Sequence, residues 1–433
     1  MANMSLSVDV PEVGVNSPQT TAKNFSSPLD QTTLSLAYRS FEVEIEYFYL
    51  VFQVLNLIEK YGRHVVPQAK PGLEDDPEPP SWVGKMKFLP HVYHFVRERQ
   101  PVQLTLPAFP CKSFNRVSKV LGHLPDLGEE LSLLRLNALC QDIQRVYAPG
   151  ATVTIATDGA LFNDILGISD EDCWDYGEAL KEMISDLGLK GLRLIRPINL
   201  LGLVSEEDTT RETYLATVNI CRDELDQQFG FSEDRLAAEI KKDRDTELTY
   251  CGMVKFLELE VQTSSTLAGL TKSAQRRMIK SMAKKMIQRS EAFTLAIRTL
   301  RPHDVRLSIH PSSGAAKLSF PLIPGPDGGF QKSPWHSCLA VGLDGNYRCV
   351  HSKDVDQTHE LVYRDGRPYF YREKLPLYNW GMGVLELQPR YYQDMSTKTK
   401  TGGRVFSIDH ESFQATAAAA QASAMERFLK LTQ

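Results

Sequence analysis

Residues 127–157 read LGEELSLLRLNALCQDIQRVYAPGATVTIAT, a helical pattern followed closely by a strand pattern. Over 127–147 the apolar residues recur three and four positions apart, which is typical of an amphipathic helix. ATVTIAT, residues 151–157, is an apolar run typical of a buried strand. A helix that leads into a buried strand is the repeating unit of an α/β fold.

The same alternation extends on both sides of this stretch. The predicted elements are a helix at about 33–60, strands at 102–106 and 192–201, a helix to about 187 that Ser169 or Asp170 can cap, and several helices over 206–300. The order β-α-β-α-β predicts a Rossmann-like, mostly parallel sheet flanked by helices.

The last third of the chain predicts antiparallel strands instead. CLAVGLDGNYRCVH (338–351) and LVYRDGRPYFYR (361–372) each place Asp-Gly between strand-like runs. Asp-Gly favours the positive φ angles of a tight hairpin turn. RLSIHPSSGAAKLSF (306–320) alternates apolar and polar residues on both sides of a turn-rich gap, so it predicts a third hairpin. The fold prediction is therefore an α/β sheet extended by antiparallel hairpins.

Composition excludes several classes of protein. The 433 residues are 42% hydrophobic and 24% charged, with a net charge of -5, so no general attraction to nucleic acid or to an anionic membrane is expected. Seven cysteines, an odd number without a Cys-x-x-Cys pair, fit neither a disulfide framework nor a zinc ribbon. The N-terminus lacks the features of a targeting signal, and no apolar run reaches the roughly 20 residues of a membrane span. A cytoplasmic protein is expected.

The predicted organisation has three parts. Residues 1–30, rich in Ser, Thr, Asn and Pro, predict a disordered leader. One α/β domain is predicted at 31–395, with a Pro-rich connector at 62–84. Residues 396–433 predict a tail that ends in a helix.

Common catalytic motifs are absent from the sequence. There is no G-x-G-x-x-G after the first strand, no G-x-x-x-x-G-K-[ST], no G-x-S-x-G and no H-E-x-x-H. HVYH (91–94) places two histidines one helical turn apart, but a third ligand at a recognisable offset is missing, so no metal is predicted.

Two candidate stretches follow predicted strands. Lys112, Ser113 and Asn115 lie in the loop after the first strand, and Asp158 ends the strand at 151–157. The carboxyl ends of parallel strands are the expected ligand-binding edge of an open α/β sheet. A solvated basic loop and a turn-forming Asp-Gly are the alternatives, and both stay open here.

Two further candidate stretches lie in the second half. KSAQRRMIKSMAKKMIQRSEAF (272–293) predicts a helix with a mostly solvated basic face, on which Arg289 and Glu291 are the better site candidates. KSPWHSC (332–338) offers the large flat side chain of Trp335 and His336, which titrates near neutral pH. The alternative is that His336 is a buried structural histidine with a satisfied hydrogen bond, which the sequence cannot distinguish from a functional one.

Five separated motifs carry a family resemblance. FPCKSFNR with PDLGE, TDGALFNDILGI, QRSEAF, VRLSIHPS and PWH, in this order, resemble the PvcA/spore-wall dityrosine biosynthesis family of bacterial and fungal isocyanide (isonitrile) synthases. The resemblance covers about 90–390, and the leader and the connector are more typical of eukaryotic members, so a fungal origin is expected. Phe114 stands where relatives often have proline, a departure that bears on the path of this loop.

The resemblance implies a fold and a reaction. The fold is a Rossmann-like catalytic domain, and the reaction converts the α-amino group of an L-amino acid into an isonitrile with ribulose 5-phosphate as carbon donor. Tyrosine is the predicted amino acid because it is the commonest substrate of the family. The amine is expected to attack the ketone of the sugar and give an imine, without metal, nicotinamide or another cofactor. A separate iron- and 2-oxoglutarate-dependent oxygenase is the expected partner enzyme.

Such a reaction requires sites for two anions, the amino-acid carboxylate and the sugar phosphate. Arginine binds such groups through a planar fork and lysine binds them as a point charge. The predicted substrate-binding residues are Ser113, Asn115, Arg289, Arg306, Ser308, His310, Lys317 and Trp335. The predicted catalytic residues are Lys112, Asp158, Glu291 and His336. Among these, Asp158 and His336 are the candidates for proton transfer.

Three other functions stay open at this point. The first is a non-catalytic sugar-phosphate-binding protein, and the second is a tyrosine-modifying condensing or acylating enzyme of dityrosine-type wall precursor synthesis. The third, nucleic-acid binding through the basic helix at 272–289, is disfavoured by the negative net charge.

Overall fold

The computed structural model describes residues 31–62, 82, 84–261, 267–310, 317–325, 331–342, 345–374, 389–390 and 407–408. The predicted leader, most of the predicted connector and most of the predicted tail lie outside the described residues. The chain divides into two units, Met1–Glu46 and Tyr47–Gln433. In the first unit the described residues are helical, and both the sheets and the predicted site residues belong to the second unit.

Helices and strands alternate in the first part of the chain, and strands dominate the last part. The helices are α1 (Gln31–Tyr61), α2 (Lys85–Arg97), α3 (Leu127–Val146), α4 (Gly159–Leu166), α5 (Asp170–Asp186), α6 (Pro197–Leu200), α7 (Arg211–Phe229), α8 (Glu233–Lys242), α9 (Arg244–Glu260) and α10 (Lys272–Leu300). The strands are β1 (Val102–Pro107), β2 (Ala151–Ala156), β3 (Leu192–Ile195), β4 (Val305–Ser308), β5 (Leu318–Ser319), β6 (Cys338–Val341), β7 (Tyr347–Val350), β8 (His359–Arg364), β9 (Arg367–Glu373), β10 (Pro389–Arg390) and β11 (Ser407–Ile408).

Local capping explains where two of these helices begin. The Asp126 side chain accepts a hydrogen bond from the backbone N–H of Gly128 at 2.9 Å, and the Glu129 carboxylate accepts one from the N–H of Asp126 at 2.9 Å, so α3 starts with a capping box. Ser169 caps α5 by accepting from the N–H of Asp172 at 3.0 Å, as its position in the sequence predicted.

The central sheet has five parallel strands in the order β3-β2-β1-β4-β5. β2 and β3 are added in turn on one side of β1, and β4 and β5 are added on the other side. This reversal is the doubly wound arrangement, whose ligand crevice lies at the carboxyl ends of the strands. The predicted Rossmann-like parallel sheet flanked by helices is confirmed.

A second sheet follows in the order β7-β6-β9-β8. β6 with β7, and β8 with β9, are antiparallel hairpins, as the two Asp-Gly turns predicted. At the second turn Asp365 and Gly366 have φ angles of 51° and 74°, the conformation for which Asp-Gly is suited.

Two details of the strand prediction are wrong. β4 and β5 are parallel, with Leu307 opposite Leu318 and Ser308 opposite Ser319, so 306–320 is not a hairpin. Alternation of apolar and polar residues shows which side chains share a face but does not report strand direction. The predicted strand at 192–201 ends at Ile195, and Pro197 starts the single-turn helix α6, because proline suits the first helical position.

The apolar side chains at the centre of the sheet are buried, and α10 covers the end of β2. Leu104, Leu106, Val153 and Ile155 have no exposed surface. A smaller apolar cluster joins β2 to α4 and α10 and includes Ala156, Leu161, Phe293 and Ala296. Among the described residues, no helix has both the length and the apolar character that crossing a bilayer requires.

Candidate active site

The loop between β1 and α3, residues 108–126, lies at the carboxyl edge of the sheet and is tightly held. Phe109 has a φ of 59°, a conformation that costs energy in a residue other than glycine. Pro110 approaches the start of α4 so closely that a Cβ on Gly159 would lie 1.9 Å from the Pro110 carbonyl oxygen. Position 159 therefore requires glycine while the loop lies this close to α4.

The single-turn 3-10 helix Pro334–His336 packs on the same loop. The backbone N–H of Ser113 donates to the carbonyl oxygen of Trp335 at 2.8 Å, and the rings of Trp335 and Phe109 lie 5.3 Å apart. Trp335 is buried. The predicted Trp335 and His336 therefore lie beside the predicted loop residues, although more than 200 positions separate them in the sequence.

Lys112 lies at the centre of a buried ion-pair network. Its ammonium group is 2.8 Å from the Asp126 carboxylate and 2.7 Å from Glu129, and it donates to the carbonyl oxygen of Pro334 at 3.1 Å. Burial lowers the pKa of Lys112, but the two carboxylates outweigh burial and raise that pKa above its usual value. All three N–H groups of Lys112 thus have protein acceptors, which joins the loop, α3 and the 3-10 helix.

A second buried network, which we name the Glu260 cluster, consists of Ser113, Lys119, Glu260 and His336. The Ser113 hydroxyl donates to one Glu260 oxygen, and the Lys119 ammonium is 2.5 Å from the other. Burial raises the pKa of Glu260, whereas Lys119, Ser113 and, when it is protonated, His336 lower that pKa below its usual value. Glu260 is therefore an ionised carboxylate in the protein interior.

His336 is a neutral imidazole in these surroundings. Burial lowers the pKa of His336 to about 4, and the opposing effect of Glu260 does not compensate. The Nδ1 atom is buried and has no hydrogen-bond partner within the described part of the chain, while the side chain as a whole is 26% exposed. The rest of the ring is thus open to a ligand.

A third group, the cation cluster, contains Arg298, Arg306 and Lys317. Burial lowers the pKa of Arg306 to about 10, the positive charge of Arg298 contributes to this shift, and Asp158 and Glu291 oppose it. Burial and Arg306 likewise lower the pKa of Lys317. The Nε atom of Arg306 is buried without an acceptor among the described residues. Cations that lie close enough to lower the pKa of Arg306 and Lys317 are an arrangement expected of an anion-binding site.

Asp158 lies at the end of β2, beside the cation cluster. Burial raises the pKa of Asp158 to about 7, and Arg306 opposes the shift. Its Oδ1 atom is buried and has no hydrogen-bond partner in the described ranges. A carboxyl group with a pKa near neutrality can both accept and donate a proton at physiological pH.

Three other predicted residues lie around the cation cluster. Ser308 is buried at the end of β4, and its hydroxyl accepts from the backbone N–H of His310 at 3.2 Å. His310 is exposed, yet partial desolvation and the charge of Lys317 lower its pKa. Glu291 is exposed on α10 and, with Arg298, lines a cavity of about 440 Å³ between α8, α9 and α10.

Two predicted residues are directed to other parts of the protein. Arg289 donates to the Leu161 carbonyl oxygen at 2.9 Å and pairs with Asp164 at 2.5 Å, which ties α10 to α4. The Asn115 side chain accepts from the backbone N–H and the hydroxyl of Ser118, both at 2.9 Å. Their predicted roles in substrate binding stay predictions, and both side chains have structural contacts.

Sequence reasoning missed Lys119, Glu260 and Arg298. Arg298 lies seven residues after Glu291 on α10, so the two share a helix face, and this spacing was a usable signal. Glu260 ends α9 in a run of alternating Glu and Leu that has no distinctive pattern. Its proximity to His336 follows from packing between segments that are distant in the chain.

A family model described as pyoverdine/dityrosine biosynthesis protein matches residues 92–362. The chain belongs to this family. The family prediction made from the five motifs is therefore confirmed. The match includes the loop after β1, Asp158, the cation cluster and His336, so this edge of the sheet lies within the family domain.

Individual relatives show the same relationship. The isocyanide synthase xanB of Aspergillus fumigatus is 44% identical over 332 residues, which is 76% of this chain and 42% of that protein. The L-tyrosine isonitrile synthase of Pseudomonas aeruginosa is 32% identical and aligns with 66% of this chain and 83% of its own length. The crystal structure of the PvcA protein from Pseudomonas aeruginosa has a TM-score of 0.63 at 28% identity and covers 75% of this chain and 100% of that one. This chain thus spans less than half of the fungal xanB relative.

Proposed function

We propose that this protein is an isocyanide synthase that converts the α-amino group of an L-amino acid, with L-tyrosine as the first candidate, into an isonitrile. Ribulose 5-phosphate is the proposed carbon donor. The names of the relatives support the reaction class. The observation that carries the proposal is the cation cluster at the carboxyl edge of the sheet, where the half-buried Arg306 has a buried Nε–H with no acceptor among the described residues.

The first chemical step requires proton transfers that two residues can perform. When the amine adds to the ketone of the sugar, nitrogen loses protons and the ketone oxygen gains them before it leaves as water. The neutral imidazole of His336 can accept a proton, and the carboxyl group of Asp158, with a pKa near 7, can donate one. We propose no metal, nicotinamide or other cofactor for this step.

The isonitrile product is itself suited to a second reaction. Because it retains the amino-acid carboxylate, it is a substrate for oxidative decarboxylation or desaturation. We therefore propose a separate iron- and 2-oxoglutarate-dependent oxygenase as the next enzyme.

The proposed function predicts a two-substrate assay. Purified protein, L-tyrosine and ribulose 5-phosphate should together yield a product that has gained one carbon and lost the two amine hydrogens, measured by mass spectrometry. Reactions lacking either substrate are the control, and the same assay with all twenty amino acids identifies the preferred one. Binding of ribulose 5-phosphate without turnover of any amino acid would support the sugar-phosphate-binding alternative. A modified tyrosine formed without the pentose would support the condensing or acylating alternative.

Replacing Asp158 by asparagine should change the pH dependence of stability. The folded-state pKa of Asp158, about 7, is above its unfolded value, so between pH 4 and 7 the folded protein binds the extra proton and the stabilisation is lost as pH rises. Asparagine resembles the neutral carboxyl group. The Tm of Asp158→Asn minus the Tm of the parent protein should therefore increase by about 2 °C or more from pH 5 to pH 8, because only the parent loses stability over this range.

Asp365→Asn is the matched control for this experiment. Its side chain is 84% exposed, and its φ of 51° is acceptable to asparagine, so the difference in Tm should be nearly independent of pH. A flat difference for Asp158→Asn as well would contradict the raised pKa.

A further inference from the structure

Glu260 and His336 form an incomplete pair inside the Glu260 cluster. One oxygen of the Glu260 carboxylate, Oε2, lies 3.8 Å from Nδ1 of His336, and Glu260 is fully buried as the last residue of α9. Buried ring nitrogens normally have a hydrogen-bond partner, and Nδ1 has none in the part of the chain that the structure describes. The Glu260 carboxylate can accept a hydrogen bond from Nδ1–H of His336. The distance between Oε2 and Nδ1 is about 1 Å longer than a hydrogen bond.

Neighbouring side chains contact both Glu260 and His336. Ser113 and Lys119 bind the Glu260 carboxylate, and the Lys119 ammonium also lies 5.6 Å from the centre of the Phe256 ring. The rings of His336 and Phe256 make an edge-to-face contact, with ring centres 4.8 Å apart, and the backbone of the preceding Trp335 is hydrogen-bonded to the loop after β1. These contacts hold the two side chains side by side, and a movement of about 1 Å would bring Nδ1 and the carboxylate to hydrogen-bond distance.

The charges around His336 come from three elements. Glu260 on α9 favours the protonated ring, whereas Lys119 and Lys112 in the loop after β1, and His310 after β4, disfavour it. Burial is the largest influence, and the ring is neutral at physiological pH. A neutral imidazole has one N–H, and a carboxylate facing Nδ1 favours the form with hydrogen on Nδ1. The lone pair is then on Nε2. Unlike Nδ1, Nε2 is not among the buried atoms without a partner in the described residues, and the side chain is 26% exposed.

We propose that Glu260 is a positioning residue that orients His336 as a proton-transfer group, with Nδ1–H directed to the carboxylate and Nε2 directed to the substrate. The inference rests on the proposed function. Nε2 takes a proton from the substrate nitrogen as the N–C bond to the ketone carbon forms, and the resulting imidazolium still donates from Nδ1 to Glu260. The ketone oxygen becomes a hydroxyl group by taking a proton from Asp158. The imidazolium then gives its proton to that hydroxyl group, which leaves as water as the C–O bond breaks, while Asp158 takes the second proton from nitrogen as the C=N bond forms. Each proton taken from nitrogen is delivered to oxygen, so no oxidant or reductant is required.

The kinetic test is Glu260→Gln. In an enzyme that converts L-tyrosine and ribulose 5-phosphate, we expect kcat to fall by about 10²-fold, with KM for either substrate changed less than about threefold, because proton transfer and not binding is impaired. Glu260→Asp retains a carboxylate and should recover part of this loss, and His336→Asn should lower kcat at least as much. Asp142→Asn is the matched control, since Asp142 is a buried carboxylate bound to the Tyr61 hydroxyl and Arg145 at the other end of α3. It should leave kcat within about twofold of the parent.

A spectroscopic test needs no activity and no variant of Glu260. In protein labelled with ¹⁵N-histidine, the signals of His336, assigned from their loss in His336→Asn, should show protonated Nδ1 and unprotonated Nε2 at pH 7. The opposite tautomer, or an unchanged kcat in folded Glu260→Gln, would overturn the inference. A parent protein that makes no isonitrile would overturn the proposed function instead, and the tautomer would still report whether Glu260 orients His336.

Discussion

Lys112→Met is expected to lower the free energy of unfolding by about 3–5 kcal/mol, because it leaves two carboxylates buried without their cation. The Lys112 side chain is 0% exposed, and Asp126 and Glu129, which it pairs with, are almost completely buried as well. Burial already raises the pKa of Asp126, and Lys112 opposes this shift. Without Lys112 the carboxylates must take up protons or remain charged in the core, so the loss of stability should be larger at pH 8 than at pH 5.

Denaturant unfolding of Lys112→Met and Lys85→Met tests this prediction. Lys85 also forms an ion pair, at 2.6 Å with Glu59, but its side chain is 21% exposed, so its loss should cost less than about 1 kcal/mol. Similar small losses for both variants would show that the buried network does not stabilise the fold.

The same contacts bear on the predicted catalytic role of Lys112. A lysine that forms a Schiff base needs a neutral amine, and the raised pKa of Lys112 together with its three protein acceptors works against one. We therefore expect borohydride to trap no adduct between Lys112 and the sugar. A trapped adduct at this position would restore the catalytic interpretation.

Arg306→Ala is expected to raise KM for ribulose 5-phosphate by about 10²-fold, since a hydrogen bond to a charged group contributes about 1.5–3 kcal/mol and the guanidinium can form more than one. Arg306 is half-buried and interacts electrostatically with Asp158, Glu291, Arg298 and Lys317. A phosphate dianion would relieve the repulsion among these cations. The effect should accordingly be larger for the phosphorylated sugar than for ribulose without phosphate.

Initial rates with both sugars measure this difference. Arg306→Lys keeps the charge and should lose less than Arg306→Ala, although it lacks the fork that binds two phosphate oxygens. Arg193→Ala is the surface control, because its side chain is 53% exposed on β3 and pairs with Glu206. Equal losses with the phosphorylated and the unphosphorylated sugar would count against a phosphate site at Arg306.

The sequence placed the strand residues of the predicted anion-binding surface better than it placed the residue that comes from α10. Arg306, Ser308 and Lys317 do lie on or next to neighbouring strands, because alternation along a strand depends on the local backbone alone. Their strands are nevertheless parallel, so the order of the side chains along the edge differs from that of a hairpin. Arg298, which completes the cation cluster, comes from the helix α10, which covers the end of β2.

The amino-acid sequence by itself determined the α/β class, the two Asp-Gly hairpins, the cap of α5 and the family. Each of these depends on contacts within a few residues or on motifs in linear order. Tertiary structure alone decided the direction of β5, the three partners of Lys112 and the approach of Glu260 to His336. Those contacts join segments up to 222 positions apart, and their distances depend on how whole layers pack, which no local pattern of residues encodes.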